Sequence, residues 1–118
     1  MPAAFRFDCL FYYCADLDRS IRFYTEVLGF QFLSRDAVAR LSIDGVLFEL
    51  VPSSEEHAFT AKGNARLCLR VDDVAAALDE LKAKGVHVHP PEDKGSGVLG
   101  RFHDPDGNEI CLWQYREA

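Results

Sequence analysis

Apolar and polar positions alternate with period two along several short stretches of this chain, and recur with helical period along two others. Residues 5–14 read as an aromatic-rich strand. Leu10, Tyr12 and Cys14 lie on one face of it, and Phe7, Cys9, Phe11 and Tyr13 on the other. Leu17, Ile21, Tyr24 and Leu28 fall at helical spacing. Asp16 or Asp18 can cap that helix by accepting from its free N–H groups, and Gly29 ends it. Strands are predicted next over about 30–35, 38–43 and 46–51.

The second half repeats the plan. A strand over 65–71 places Leu67, Leu69 and Val71 on one face and Arg66, Cys68 and Arg70 on the other. Asp73 caps a helix whose stripe is Val74, Ala77, Leu78 and Leu81, and Gly85 terminates it. A short strand over 86–89 runs into Pro90-Pro91, and another is predicted over about 99–103. The turn formers Asp104-Pro105-Asp106-Gly107-Asn108 then lead into a last strand. Ile110 and Leu112 point one way there; Glu109, Cys111, Trp113 and Tyr115 point the other. Residues 53–64 are polar and aperiodic and read as a linker, with His57 in a solvated loop. Residues 94–100 are Gly-rich but do not fit the phosphate-cradling pattern. A mobile loop is expected there, with a lid over a ligand as the functional alternative.

The two halves superpose by number. Asp16 and Asp73 lie 57 residues apart, and the same offset lays Cys9 on Arg66. Gly29 and Gly85 lie 56 apart, a gap of one residue. Laying Asp44-Gly45 on Asp106-Gly107 puts Glu49 opposite Cys111. The expected fold class is α+β, two β-α-β-β-β modules in one domain: module 1 about 5–52, a linker at 53–64 and module 2 about 65–116.

Hydrophobic residues make up 48% of the chain and charged ones 27%, which suits a globular domain and not a disordered one. The net charge is −6 with no basic run, which argues against nucleic acid and acidic membrane surfaces as partners. The longest apolar run, Cys9 to Ala15, is too short to span a bilayer, and the first ten residues lack a secretory pattern. A cytoplasmic location is expected. The four cysteines form no Cys-x-x-Cys pair and read as reduced thiols.

Several stretches carry a family resemblance: Ala15-Asp16-Leu17-Asp18-Arg19-Ser20-Ile21-Arg22-Phe23-Tyr24, Val27-Leu28-Gly29-Phe30, Val71-Asp72-Asp73-Val74 and Asp104-Pro105-Asp106-Gly107-Asn108. With these the chain resembles the vicinal oxygen chelate superfamily of glyoxalase I, extradiol dioxygenases, methylmalonyl-CoA epimerase, fosfomycin-resistance enzymes and bleomycin-binding proteins. The resemblance implies paired modules whose strands form a curled sheet around a cavity, often completed in a homodimer. It also implies four metal positions. Carried over in turn, these fall on Cys9, Glu49, Arg66 and Cys111. Only Glu49 keeps a usual ligand type.

A divalent cation needs deprotonated donors, and Arg66 has no lone pair to give. The expectation is therefore no metal and no cofactor, with a Glu49–Arg66 ion pair where the metal would sit. The rival is zinc, or another divalent metal, held by Cys9, Glu49 and Cys111. In a third reading Cys9 and Cys111 form a disulfide or act as reactive thiols, with Arg66 lowering a thiol pKa. Cys14 and Cys68 are expected only to pack. His87 and His89 read as surface or cavity-rim residues and not as a ligand pair; His103 is expected near the cavity mouth.

The inward faces then describe a small-molecule binding site of the bleomycin-resistance type. Phe7, Phe11, Tyr13 and Trp113 would stack on a small, partly aromatic or cationic ligand. Glu49 and Glu109 would supply negative charge, Arg66 and Arg70 would set orientation, and Cys9 and Cys111 would complete the lining. The alternative is a glyoxalase-like lyase or isomerase, or a dioxygenase, with an altered metal site, in which Glu49 or Glu109 is the catalytic base.

Overall fold

The computed structural model describes residues 6–54 and 65–116. The chain divides into two compact units, Met1–Ala58 and Phe59–Ala118. His57 lies outside the described residues.

The first unit runs β1 (Leu10–Cys14), α1 (Leu17–Arg22), β2 (Gln31–Arg35), β3 (Ala39–Ile43) and β4 (Val46–Pro52). Its sheet has the order β1-β4-β3-β2, with β1 parallel to β4 and the other pairs antiparallel. The second unit runs β5 (Leu67–Arg70), α2 (Val74–Ala83), β6 (Glu92–Asp93), β7 (Gly97–His103) and β8 (Glu109–Tyr115). Its sheet has the order β5-β8-β7-β6, again with only the first and last strands parallel. The predicted α+β duplication is the fold observed.

Local chemistry starts and ends the two helices where the sequence says. The Asp16 carboxylate accepts from the Arg19 N–H and that of Asp73 from the Ala76 N–H, so both helices are capped alike. Gly29 and Gly85 leave the helices at φ 79° and 84°, a conformation that L side chains adopt with strain. The one-residue gap between the halves has a physical cause. Residues Phe23–Val27 form a π-turn, with the Leu28 N–H donating five residues back to the Phe23 carbonyl. A π-turn absorbs a single inserted residue without ending the helix. Ser20, Phe23 and Tyr24 are buried, while Leu17, Ile21 and Leu28 of the expected stripe are only half-buried.

Each core lies between one helix and one sheet face. In the first unit it is aromatic: the Tyr24 and Phe48 rings are 4.7 Å apart and those of Phe30 and Phe48 5.4 Å. In the second it is mostly aliphatic, with Val74, Leu78 and Leu81 of α2 buried beside Phe102, Ile110 and Leu112. The side chain of Gln114 ties the two layers, accepting from the Val74 N–H at 2.9 Å.

Three boundaries differ from expectation. Regular pairing of the first strand begins at Leu10, not at residue 5. Residues 86–89 form no strand of their own; Val88 makes a single bridge to Phe102. Pro90 and Pro91 lack the N–H groups needed to extend the ladder, so β6 starts after them at Glu92. The Gly-rich stretch is neither a wholly irregular loop nor a lid, because Gly97 to Gly100 open β7. A Cβ at Gly97 would run into the Trp113 ring, and one at Gly100 would come within 2.8 Å of Val74 Cγ1. These glycines serve close packing of the strand under an indole and against a helix.

Candidate functional site

Strand alternation gives each unit a face turned away from its helix, and this open face carries the polar chemistry. In the first unit it holds Phe11, Tyr13 and Glu49. Phe11 and Tyr13 are 45% and 39% exposed and meet edge to face at 5.4 Å; Phe7 is 75% exposed. Glu49 is paired in register with Phe11 on one side and Arg40 on the other. The Arg40 Nε lies 3.6 Å from Glu49 Oε2, and its Nη1 lies 2.9 Å from Asp36 Oδ2. Desolvation raises the Cys9 thiol pKa, and the negative charges of Glu49 and Asp8 raise it further.

In the second unit the open face holds Arg66, Cys68, Arg70, Arg101, His103, Glu109, Cys111 and Trp113. Glu109 sits between two guanidiniums: Arg66 Nε at 3.4 Å and Arg101 Nη1 at 3.3 Å. Arg101 also reaches Glu92 at 3.2 Å. Cys68 and Cys111 are cross-strand neighbours, and both are free thiols. Desolvation raises the Cys111 thiol most, followed by Cys68 and Glu109; Arg66 and Arg101 pull the other way and lose. Arg66 does pull the Cys111 pKa down, as expected, but burial outweighs it and the thiol ends above its ordinary value. Arg70 lies over the Tyr115 ring at 4.9 Å, and both line an open groove of about 330 Å³ with Val71, Asp72 and Arg116. Trp113 is half-buried and meets Tyr115 edge to face at 6.1 Å.

The β-registers superpose the two open faces without reference to chemistry. Leu10 pairs with Phe48 as Leu67 pairs with Ile110. The first strands are thus 57 residues apart and the last strands 62. By the same offset Glu49 matches Cys111. The cross-strand neighbour of Glu49 is Arg40, and that of Cys111 is Arg101. Both last-strand positions therefore face an arginine. The expected partner of Glu49 was Arg66. Within its own unit Glu49 meets Arg40, while Arg66 meets Glu109.

The sequence reading did not foresee one grouping. His87, His89 and His103 converge, with one ring nitrogen from each lying within 4.8 Å of the others. His89 Nε2 and His103 Nε2 are 2.8 Å apart. Burial lowers the His89 pKa first, and Arg101 lowers it further, which favours the neutral ring. The signal was present in the sequence. His87 and His89 flank Val88 and so share a face, and His103 shares the face of Arg101 on β7. What the sequence lacked was the Val88–Phe102 bridge that brings the two segments side by side.

The duplicated module, its parallel outer pair and its open face define a glyoxalase-like domain. The chain belongs to the Glyoxalase/Bleomycin resistance protein/Dioxygenase superfamily, whose description matches residues 6–112. It is 33% identical to a probable lactoylglutathione lyase of Vibrio parahaemolyticus, over 87% of this chain and 86% of that protein. The antibiotic-binding protein TnmS3 of Streptomyces sp. CB03234 is 28% identical in sequence and similar in structure, with a TM-score of 0.71 over 97% of this chain and all of that one. The fosfomycin resistance protein FosX of Mesorhizobium loti shares the fold at a TM-score of 0.75 and 14% identity, covering 97% of this chain and 95% of that one. No helix among the described residues is long and apolar enough to cross a membrane.

The family implies a divalent metal, and the residues at its four positions do not suit one. Arg66 is a cation with no lone pair to give at one of them, and the Cys9 and Cys111 thiols, their pKa values raised by burial, must each lose a proton to bind an ion. Glu49 is the one ready anionic donor, and a guanidinium already compensates it.

Proposed function

We propose that this chain is a small-molecule-binding member of its family that works without a metal at the four family positions. The observation that carries the reading is the pair of cross-strand arginines, Arg40 facing Glu49 and Arg101 facing Cys111. A fixed guanidinium beside a carboxylate takes over the role of counter-charge that a cation would otherwise fill. Exposed Phe11 and Tyr13, and Trp113 beside Tyr115, offer flat apolar surface for a partly aromatic ligand. Glu49 and Glu109 supply negative charge toward a cationic group, and Arg66 and Arg70 orient an anionic or polar one. The similarity to an antibiotic-binding protein points the same way. β2 is exposed along its whole length at the sheet edge, with Phe32 and Leu33 about half-exposed, which favours pairing of two chains.

Thermal unfolding in the presence of a panel of flat aromatic cations and aromatic antibiotics tests the reading. A concentration-dependent rise in Tm with some member, lost on Phe11→Ala or Trp113→Ala, is expected. No shift with any member counts against it. So does about one Zn, Fe or Mn per chain that disappears on Glu49→Ala. The second reading, suggested by lactoylglutathione lyases among the relatives, is a lyase. Turnover of the methylglyoxal–glutathione adduct that depends on Glu49 or Glu109 would establish it in place of the first.

A further inference from the structure

We propose that His87, His89 and His103 form a three-imidazole binding site for a divalent transition cation, separate from the four family positions. Several independent features converge on these rings. The first is spacing. Metal–nitrogen bonds of about 2.0–2.1 Å place neighbouring imidazole nitrogens roughly 3 Å apart around one ion. The Nε2 atoms of His89 and His103 already stand 2.8 Å apart, and a nitrogen of His87 lies within 4.8 Å of both. A small rotation of these rings, His87 exposed and His89 and His103 half-buried, would open room for an ion between them.

The second feature is the outer partner. The Nδ1 of His103 lies 3.2 Å from the Gly107 carbonyl oxygen, which can only accept. The proton of a neutral His103 therefore sits on Nδ1, and the Nε2 lone pair points at His89. Metal-bound histidines are held by this kind of backbone contact, which fixes the tautomer and aims the ring. The third is a fixed frame. The His103 N–H donates to the His87 carbonyl at 3.2 Å, and the His89 N–H to the Arg101 carbonyl at 3.0 Å. The segment that carries His87 and His89 is thus pinned to β7 on both sides of the Val88–Phe102 bridge. Arg101, the guanidinium that acts on His89, is itself paired with Glu92 and Glu109, so its charge does not stand alone against an incoming ion.

The donor set chooses the class of ion. Three neutral imidazoles and no thiolate suit Zn²⁺, Co²⁺, Ni²⁺ or Cu²⁺ rather than Mg²⁺ or Ca²⁺, which want oxygen. Three protein ligands leave at least one position on the ion for water or an organic ligand. On binding, the His89–His103 hydrogen bond breaks. The proton that His89 donated from Nε2 moves to its Nδ1, so a neutral cluster loses no proton.

Calorimetric titration of tag-free, chelator-treated protein with Zn²⁺, and visible spectra with Co²⁺, test the site. One ion per chain is expected. His89→Ala and His103→Ala should each weaken it by more than the roughly 10- to 100-fold that loss of an outer partner costs. Glu49→Ala and Cys111→Ser should leave it unchanged. Proton NMR of the wild-type chain gives a second readout that needs no variant: on Zn²⁺ addition three of the four histidines should shift, and His57 should not. No binding, binding that survives the histidine variants, or shifts confined to His57 would overturn the proposal. Binding lost on Glu49→Ala alone would instead sink the metal-free reading of the family positions, so the two failures are told apart.

Discussion

The two units share a scaffold and differ in what they do with it. Leu50 and Leu112 hold matching positions on the last strands. The cross-strand neighbour of Leu50 is buried Ala39, and that of Leu112 is buried Gly100. A small residue stands at the same place in both units. The capping aspartates and the terminal glycines also recur. What changes is the core, aromatic in one unit and mostly aliphatic in the other, and the open face. The first unit offers aromatic rings and one compensated carboxylate. The second also has a compensated carboxylate, Glu109, and an indole, Trp113, but adds a cluster of arginines, histidines and thiols. Backbone requirements are the same in both halves, whereas open-face residues are free to diverge because the fold does not depend on them.

The cores should therefore respond unequally. Phe48 is fully buried and its ring meets those of Tyr12, Tyr24 and Phe30. Phe48→Ala should cost about 3–5 kcal/mol in urea unfolding, from lost transfer energy and the cavity left behind. Leu112→Ala, among aliphatic neighbours, should cost roughly 2–3 kcal/mol. The reverse order would break the distinction between the two cores.

The hairpins before the last strands differ in mechanism, and the next effect tests that. Asp104 is buried. Its Oδ1 accepts from the Asp106 and Asn108 N–H groups at 2.9 Å each, and its Oδ2 from the Asn108 side-chain amide at 2.9 Å. Asp104→Ala removes the acceptor of all three bonds and should cost about 2–3 kcal/mol. In the first unit the turn rests on backbone shape instead, with Asp44 at φ 51° and Gly45 at φ 80°. Asp44→Ala should cost less than about 1 kcal/mol, because Asp44 already bears most of the strain of the left-handed region and alanine loses only the local preference of Asp for it. Equal losses in chemical denaturation would show that one mechanism serves both turns.

Much of this was readable in the sequence because it depends on local chemistry. Caps at Asp16 and Asp73, Gly29, Gly85 and the alternating strands are short-range signals, and they placed the elements and the two faces. The misreadings have other causes. The apolar spacing missed the burial of Ser20, because a small polar residue gives no hydrophobic signal, and it missed the π-turn at 23–27, which a wheel of constant period cannot show. Gly97 and Gly100 looked like loop glycines because their reason for being small, Trp113 and Val74, lies elsewhere in the chain. Other contacts were simply not readable: Glu49 with Arg40 and Arg66 with Glu109 meet within their own units through register, which no pattern in either strand alone reveals.

The small residues under the helices give a sharper test of the duplication. A methyl at Gly100 would meet Val74 Cγ1 at 2.8 Å and Leu112 Cβ at 3.3 Å. Gly100→Ala should therefore destabilise the chain by about 1–2 kcal/mol in thermal or urea unfolding, although alanine suits a strand better than glycine does. Stabilisation would mean that α2 gives way easily and that its close approach to β7 is not required.

The smallest effect concerns the thiols, and there the units should answer with opposite signs. Cys9 and Cys111 both stand above the ordinary value of 9.0, so each binds a proton more tightly folded than unfolded. The stability they contribute is present below that value and lost as pH rises through the folded pKa. Near pH 8 both thiols should alkylate with iodoacetamide more slowly than an unperturbed cysteine, followed by mass spectrometry of each site. Their neighbours then separate them. Glu49 raises Cys9, so Glu49→Gln should speed modification there. Arg66 lowers Cys111, so Arg66→Met should slow it. If Glu49→Gln leaves Cys9 unchanged and Arg66→Met leaves Cys111 unchanged, neither charge governs its thiol and desolvation is the dominant cause in both units.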